Sequence, residues 1–176
     1  SQVAQILPAD PRPGIAFGYL LDIQGDVLAV GAPGDGVAVG DVEPLGGAVY
    51  MFRRDGDQWV QEAKLQAPEP QQGDDFGGDV AVEGSAVVSG APGTSVGAVS
   101  QAGAAYVYER NETDWAFSSR LQSPDIATLG SFGAEADIDG GVIAIGSVAG
   151  AGGTDIGTVN IYERGAESWA LGGIDP

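Results

Sequence analysis

Any chemistry in this chain of 176 residues falls to carboxylates, hydroxyls and aromatic rings, because it holds no cysteine and no histidine. Disulfides, thiol catalysis, zinc held by Cys or His, and Ser-His or Cys-His nucleophiles are therefore excluded. Carboxylate pairs serve glycoside hydrolysis, but no motif singles out a pair among the 25 Asp and Glu residues. A glycan-active enzyme is thus the weakest of the functional readings. Asp35, Asp41 and Glu43 share one glycine-rich segment and could hold a cation weakly. A solvated loop explains them as well. Asp137 and Asp139 flank Ile138 before Gly140, and Asp74-Asp75 reads as a solvated turn. Trp59, Trp115 and Trp169 could offer faces to sugars, although their strict recurrence favours packing between repeated units.

That recurrence organises the chain. Phe-Gly stands at Phe17-Gly18, Phe76-Gly77 and Phe132-Gly133. Fourteen residues after each Phe come Gly31-Ala32-Pro33, Gly90-Ala91-Pro92 and a decayed Gly146-Ser147-Val148. Glycines follow each Phe at eight residues: Gly25, Gly84 and Gly140. Then come Tyr50-Met51-Phe52, Tyr106-Val107-Tyr108 and Asn160-Ile161-Tyr162, each followed by its tryptophan nine residues after the trio begins. The stretch from Gly-Ala-Pro to the Tyr position alone changes length, spanning 19, 16 and 14 residues. A segment free to change length reads as a surface loop. It is the first place to look for binding.

Each unit reads as four strands. The first follows Phe-Gly, with Leu21 and Ile23, Val80 and Val82, and Ala136 and Ile138 as inward candidates. A glycine hairpin leads into a short apolar second strand, such as Val27-Leu28-Ala29-Val30, which ends at the proline. The third strand covers Ala48–Phe52, Ala104–Tyr108 and Thr158–Tyr162, and the fourth begins at the tryptophan. No segment carries a helical stripe. Thirty glycines and ten prolines act as punctuation. The predicted fold class is all-β, with one repeat domain over 1–176 and blades at 17–65, 76–121 and 132–171. Residues 2–7 resemble a further fourth strand that could close the last blade, because glycines weaken the strand after Trp169.

Phe-Gly, an apolar strand, Gly-Ala-Pro, Gly-x-x-Tyr and a Trp strand together resemble the FG-GAP repeat of β-propellers. The likeness is to the bacterial and archaeal form, and more distantly to integrin α-subunit head blades. The resemblance implies four-stranded blades around an axis. Three blades fall short of a closed ring, so the chain reads as an arc of a larger propeller, a protomer completed by its own copies, or a compact three-bladed variant. Integrin-type blades hold calcium in an acidic loop between strands one and two. Here that hairpin is too short to supply six to eight oxygens, and Asp26 and Asp139 stand nearly alone, so no cofactor is expected.

A net charge of −18 opposes binding to nucleic acid or anionic membrane and suits solubility or a high-salt habitat. No apolar run is long enough to insert into a bilayer. The chain begins without Met and shows no signal peptide, as a processed secreted protein or an excised domain would. The resemblance implies an extracellular or cell-surface recognition module that binds protein or glycan through blade-rim loops 34–46, 93–102 and 149–156. Asp35, Asp41, Glu43, Thr94, Ser95 and Asp155 are the candidate binding residues. Phe17, Phe76, Phe132, Tyr50, Tyr106 and the three tryptophans are the candidate packing residues. The rival reading is a self-assembling structural subunit whose partners are further blades.

Overall fold

A computed structural model describes residues 4–35, 46–112, 114–126, 129–148, 156–166 and 168–172. Among them all regular structure is β, with no helix to cross a membrane. The first sheet holds β1 (Leu21–Gln24), β2 (Val27–Ala32), β3 (Ala48–Asp55) and β4 (Gln58–Leu65). The second holds β5 (Asp79–Glu83), β6 (Ala86–Ala91), β7 (Ala104–Arg110) and β8 (Trp115–Leu121). The third holds β9 (Glu135–Asp139), β10 (Val142–Ser147), β11 (Thr158–Arg164) and β12 (Trp169–Leu171). Each is a meander of neighbouring antiparallel strands, so the three sheets are propeller-like blades that form no closed ring. The hairpin glycines Gly25, Gly84 and Gly140 take φ near +60°, and Pro33 and Pro92 follow the last residues of β2 and β6.

The Phe-Gly and Gly-Ala-Pro landmarks turn out to be the seam between blades. A methyl at Gly31 would lie 2.2 Å from the Gly77 carbonyl oxygen, and one at Gly90 would lie 1.9 Å from that of Gly133. Only glycine permits this approach. The residues before each Phe, namely Ala16, Asp75 and Ser131, all adopt positive φ, at 56°, 58° and 47°. The three copies thus share their backbone turn as well as their sequence. Phe76 lies edge-on to Tyr106 and Tyr108 at 5.6 and 6.2 Å, and Phe132 to Tyr162 at 6.1 Å. Both phenylalanines are fully buried. Burying a ring of this size is worth roughly 2–3 kcal/mol.

One core joins the trailing face of blade one (Ala29, Val49, Met51) to the leading face of blade two (Phe76, Val80, Val82, Tyr106, Tyr108, Trp115). A second joins blade two (Ala81, Val88, Val107) to blade three (Phe132, Ile138, Ile143, Tyr162, Trp169). The seam is also stitched from the inner strands. Val82 N–H donates to Asp22 Oδ2 at 2.8 Å and Gly84 N–H to Gln24 Oε1 at 2.5 Å. Ala136 N–H donates to Asp79 Oδ2 at 2.6 Å and Gly140 N–H to Glu83 Oε1 at 2.7 Å.

The ends of the array differ from its middle. Val80, Val82 and Ile138 point inward as expected and are buried. Leu21 and Ile23 do not: they are 58% and 53% exposed, because among the described residues no sheet covers the leading face of β1. The rest of that face (Leu28, Val30, Tyr50, Phe52) packs with Ile6, Phe17 and Trp59. Residues 4–8 form no strand; Gln2 and Val3 lie outside the described residues. On the trailing face of blade three, Val159 and Ile161 are 68% and 41% exposed.

Candidate functional site

The same rim position is built twice, with opposite outcomes. After Gly-Ala-Pro-Gly, blade one has Asp35 and blade two has Thr94. The backbone places them alike: Asp35 N–H donates to Ala32 O and its carbonyl accepts from Gly47, while Thr94 N–H donates to Ala91 O and its carbonyl accepts from Gly103. Fourteen residues past each tyrosine stands a cation, Lys64 or Arg120. The strand pairing places Lys64 beside Tyr50 and Arg120 beside Tyr106. Each cation hangs over its ring, at 5.1 and 5.7 Å from the centroid.

In blade one the site is filled. Asp35 has no exposed surface, and a buried carboxylate is tolerable only when paired. Its Oδ1 accepts from Arg12 Nη2 at 2.7 Å. Its Oδ2 accepts from Tyr50 Oη at 2.7 Å and Lys64 Nζ at 2.6 Å. Asp10 completes the cluster, accepting from Lys64 at 2.7 Å with the Tyr50 oxygen 3.0 Å away. Burial alone would raise the Asp10 carboxyl, but the bonds from Lys64 and Tyr50 outweigh it and hold Asp10 below the ordinary carboxylate value. Burial, and then the two carboxylates, push the Tyr50 phenol upward, so it stays a donor.

In blade two four exchanges empty the equivalent space: Asp35 becomes Thr94, Arg12 becomes Gln71, Ile15 becomes Asp74 and Gln61 becomes Phe117. A cleft of about 490 Å³ results, lined by Pro68, Glu69, Gln71, Asp74, Thr94, Ser95, Gly97, Tyr106, Phe117 and Arg120. Thr94 is 5% exposed and its Oγ1 has no hydrogen-bond partner. It lies against Asp74 and Tyr106 and draws both groups downward, short of a hydrogen bond of good geometry to either. Asp74 is buried, and its Oδ2 accepts from the Gln71 N–H at 2.8 Å. Desolvation raises its carboxyl above the ordinary value, against the opposing pull of that N–H, Thr94 and Arg120. Among the described residues no carboxylate lies within 4.0 Å of Arg120. Phe117 is 45% exposed and tilts against Tyr106 at 6.4 Å. The cleft therefore offers a guanidinium with no carboxylate in contact, a buried carboxylate, a weakly matched hydroxyl and an aromatic face.

The sequence-predicted residues divide accordingly. Thr94 and Ser95 line the cleft. Asp35 is spent on the chain's own cations, so it is not open to an outside ligand. Asp41, Glu43 and Asp155 lie outside the described residues. Trp115 and Trp169 are buried in the two seams. Trp59 is half-buried and borders a groove of about 300 Å³ with residues 4–7. Asp137 Oδ1 accepts from Ile138 N–H at 2.9 Å, the turn that Asp22 makes with Ile23. Among the described residues no three acids converge as a metal site would need. Sequence reasoning missed Asp10, Arg12, Lys64, Glu69, Gln71, Asp74, Phe117 and Arg120. Two signals could have found some of them. A cation lies fourteen residues after Tyr50 and Tyr106, and an acid lies seven before the Phe of each Phe-Gly pair (Asp10, Glu69, Asp125).

No curated protein matches the chain. The FG-GAP repeat family matches residues 1–52 and 59–108, more than half of the chain. The second segment runs from Trp59 in β4 to Tyr108 in β7, so the family's unit begins on the outer strand of one blade and ends in the next. With its landmarks lying on the seams between four-stranded sheets, the chain belongs to the FG-GAP repeat family.

Proposed function

We propose that this chain is a non-catalytic, extracellular or cell-surface recognition module that takes a protein or glycan ligand at the rim of its second blade. The observation that carries the reading is the open cleft at a position where blade one is sealed by its own side chains. Convergent polar groups beside an apolar face are what a binding pocket needs, and the buried Thr94 hydroxyl lacks the partner that buried polar groups normally have. Glu69 and Asp74 both line the cleft, which is the arrangement a glycosidase would use. Asp74, however, is tied to its own turn through Gln71. An array of glycans and peptides probed with the wild-type chain and with Ser95→Trp tests the reading. Hits abolished by Ser95→Trp in a folded protein are expected. An empty array, or hits indifferent to the substitution, would overturn the proposal, and cleavage of a bound glycan would overturn its non-catalytic part.

A second reading, self-assembly into a larger surface structure, is favoured by the last blade. A methyl at Gly146 would meet only Glu135 of its own sheet, at 3.4 Å, where Gly31 and Gly90 are filled by the next blade. Val159 and Ile161 are exposed beside it, and Asp137 and Asp139 repeat the positions of Asp22 and Glu83 with no further blade among the described residues to hold. Light scattering should show association that Ile161→Lys abolishes. A monomer at every concentration would count against it.

A further inference from the structure

The two internal seams are built from the same few parts, and the ends of the array carry those parts facing open space. At each seam the glycine of Phe-Gly meets the blade before it. A methyl at Gly77 would lie 2.3 Å from the Ala48 carbonyl oxygen, and one at Gly133 would lie 2.4 Å from that of Ala104. Gly18 keeps the same turn, with φ of +86° against +85° and +90°, yet a methyl there would touch nothing. Gly157 likewise repeats the positive φ of Gly47 and Gly103, which bridge to Phe76 and Phe132 across the seams. One close ion pair crosses each seam further out: Arg110 Nη2 to Glu62 at 2.7 Å, and Arg164 Nη2 to Glu109 at 2.9 Å. Arg54 takes the position of Arg110 and Arg164, with its N–H held by the hairpin of its own blade in the same way. Glu163 takes the position of Glu109. Both are exposed, and among the described residues neither has an opposite charge within 4.0 Å. Arg54 also borders a groove of about 610 Å³ beside the half-buried Trp59, where Trp115 and Trp169 are covered.

We propose that the trailing face of blade three receives the leading face of blade one from a second copy of this chain, and that two such seams join two chains into one ring. The inference rests on the self-assembly reading above and names the two surfaces that meet. Each group left open at one end has its counterpart at the other. Gly146 has room for the Gly18 carbonyl, as Gly31 has for that of Gly77 and Gly90 for that of Gly133. Asp139 can accept from Gly25 N–H, as Gln24 does from Gly84 and Glu83 from Gly140. Glu163 meets Arg54 as Glu109 meets Arg164. Val159 and Ile161 match Val49 and Met51, and Leu21 and Ile23 match Val80 and Val82, four residues that share the first buried core. Residues 4–7 leave the way open. Ile6 stands eleven residues before its Phe, as Leu65 does, so it already fills part of the preceding blade's place. Among the described residues β12 pairs with β11 at Tyr162–Arg164 alone. Two chains of three sheets supply six blades, within the four to eight that close a propeller, and a head-to-tail contact repeated twice closes with two-fold symmetry. The charge of −18 on each chain opposes the approach, so association through this largely apolar seam strengthens with salt.

Sedimentation velocity on the full chain, at physiological and at molar salt, tests the seam. The wild type is expected at the mass of two chains, more tightly associated in molar salt. Ile23→Lys on the leading face and Ile161→Lys on the trailing face should each leave single chains. Both positions are exposed in the single chain, so neither substitution enters a core. At physiological salt Arg54→Glu and Glu163→Arg should each weaken association about tenfold, and the chain carrying both should recover it. Pairs that survive Ile23→Lys but not Ile161→Lys would join trailing face to trailing face, which overturns the inference and leaves the self-assembly reading standing. Failure of the double charge reversal to recover what each single one loses overturns it in the same way. Growth past two chains with rising concentration would rule out the closed ring. Single chains at every concentration in both salts remove the inference and the reading together.

Discussion

Blades one and two start from the same backbone, the same tyrosine and the same cation above its ring, yet one site is closed and the other open. The closed one is neutral by count and satisfied by bond: both oxygens of Asp35 are engaged, and Tyr50 donates to Asp35 and lies within bonding reach of Asp10. The open one has a buried hydroxyl with no partner and a buried acid with no cation in contact. The contrast shows how a repeat protein can keep its seams fixed and vary its rim. The Gly31–Gly77 and Gly90–Gly133 contacts tolerate no side chain, whereas residues 12, 35 and 61 have all changed type by residues 71, 94 and 117.

The largest expected effect comes from breaking the closed site. Asp35→Ala leaves Arg12, Lys64 and Tyr50 with only the half-exposed Asp10 as their anion. A loss of about 3 kcal/mol is expected in urea denaturation, the low end for a broken buried pair because both cations are partly exposed. An effect below about 1 kcal/mol would mean the cluster is ornamental.

Acid should separate the sites next. Asp10 has a lowered carboxyl, so its stabilising contribution is complete above the ordinary aspartate value and fades as pH falls through its folded value. Asp74 and Asp79 are raised by burial, so their cost at neutral pH is relieved on acidification, with the opposite sign. Below about pH 4 the wild type should lose stability that Asp10→Asn does not lose. Urea midpoints across that range check it, and parallel pH profiles would break the comparison.

The smallest effect should come from Thr94→Val. It removes a hydroxyl that has no partner, so stability should stay level or rise by about 1 kcal/mol. A loss of that size would show that the hydroxyl is satisfied within the fold.

Much of the fold was legible in residue spacing. Strand order, the glycine hairpins and the prolines that end β2 and β6 follow from local backbone rules that need no partner. Leu21 and Ile23 misled because period-two alternation says which side a residue faces and not whether another sheet lies there. The site was only half legible. Thr94 and Ser95 were found because loop length varied beside them. Asp35 was found for the wrong reason, since its partners Arg12 and Lys64 come from the preceding turn and the outer strand, 23 and 29 residues away. Asp74 and Arg120 stand 20 and 26 residues from Thr94, and they line one cleft only once the meander has closed.

Two matched double-mutant cycles test the central contrast most directly: Asp35→Ala with Lys64→Met in blade one, and Thr94→Val with Arg120→Met in blade two. The expected coupling is about 2 kcal/mol for the first pair and under about 0.5 kcal/mol for the second. Equal couplings, or a larger one in blade two, would contradict the view that one rim site is sealed by the chain and its twin is left for a guest.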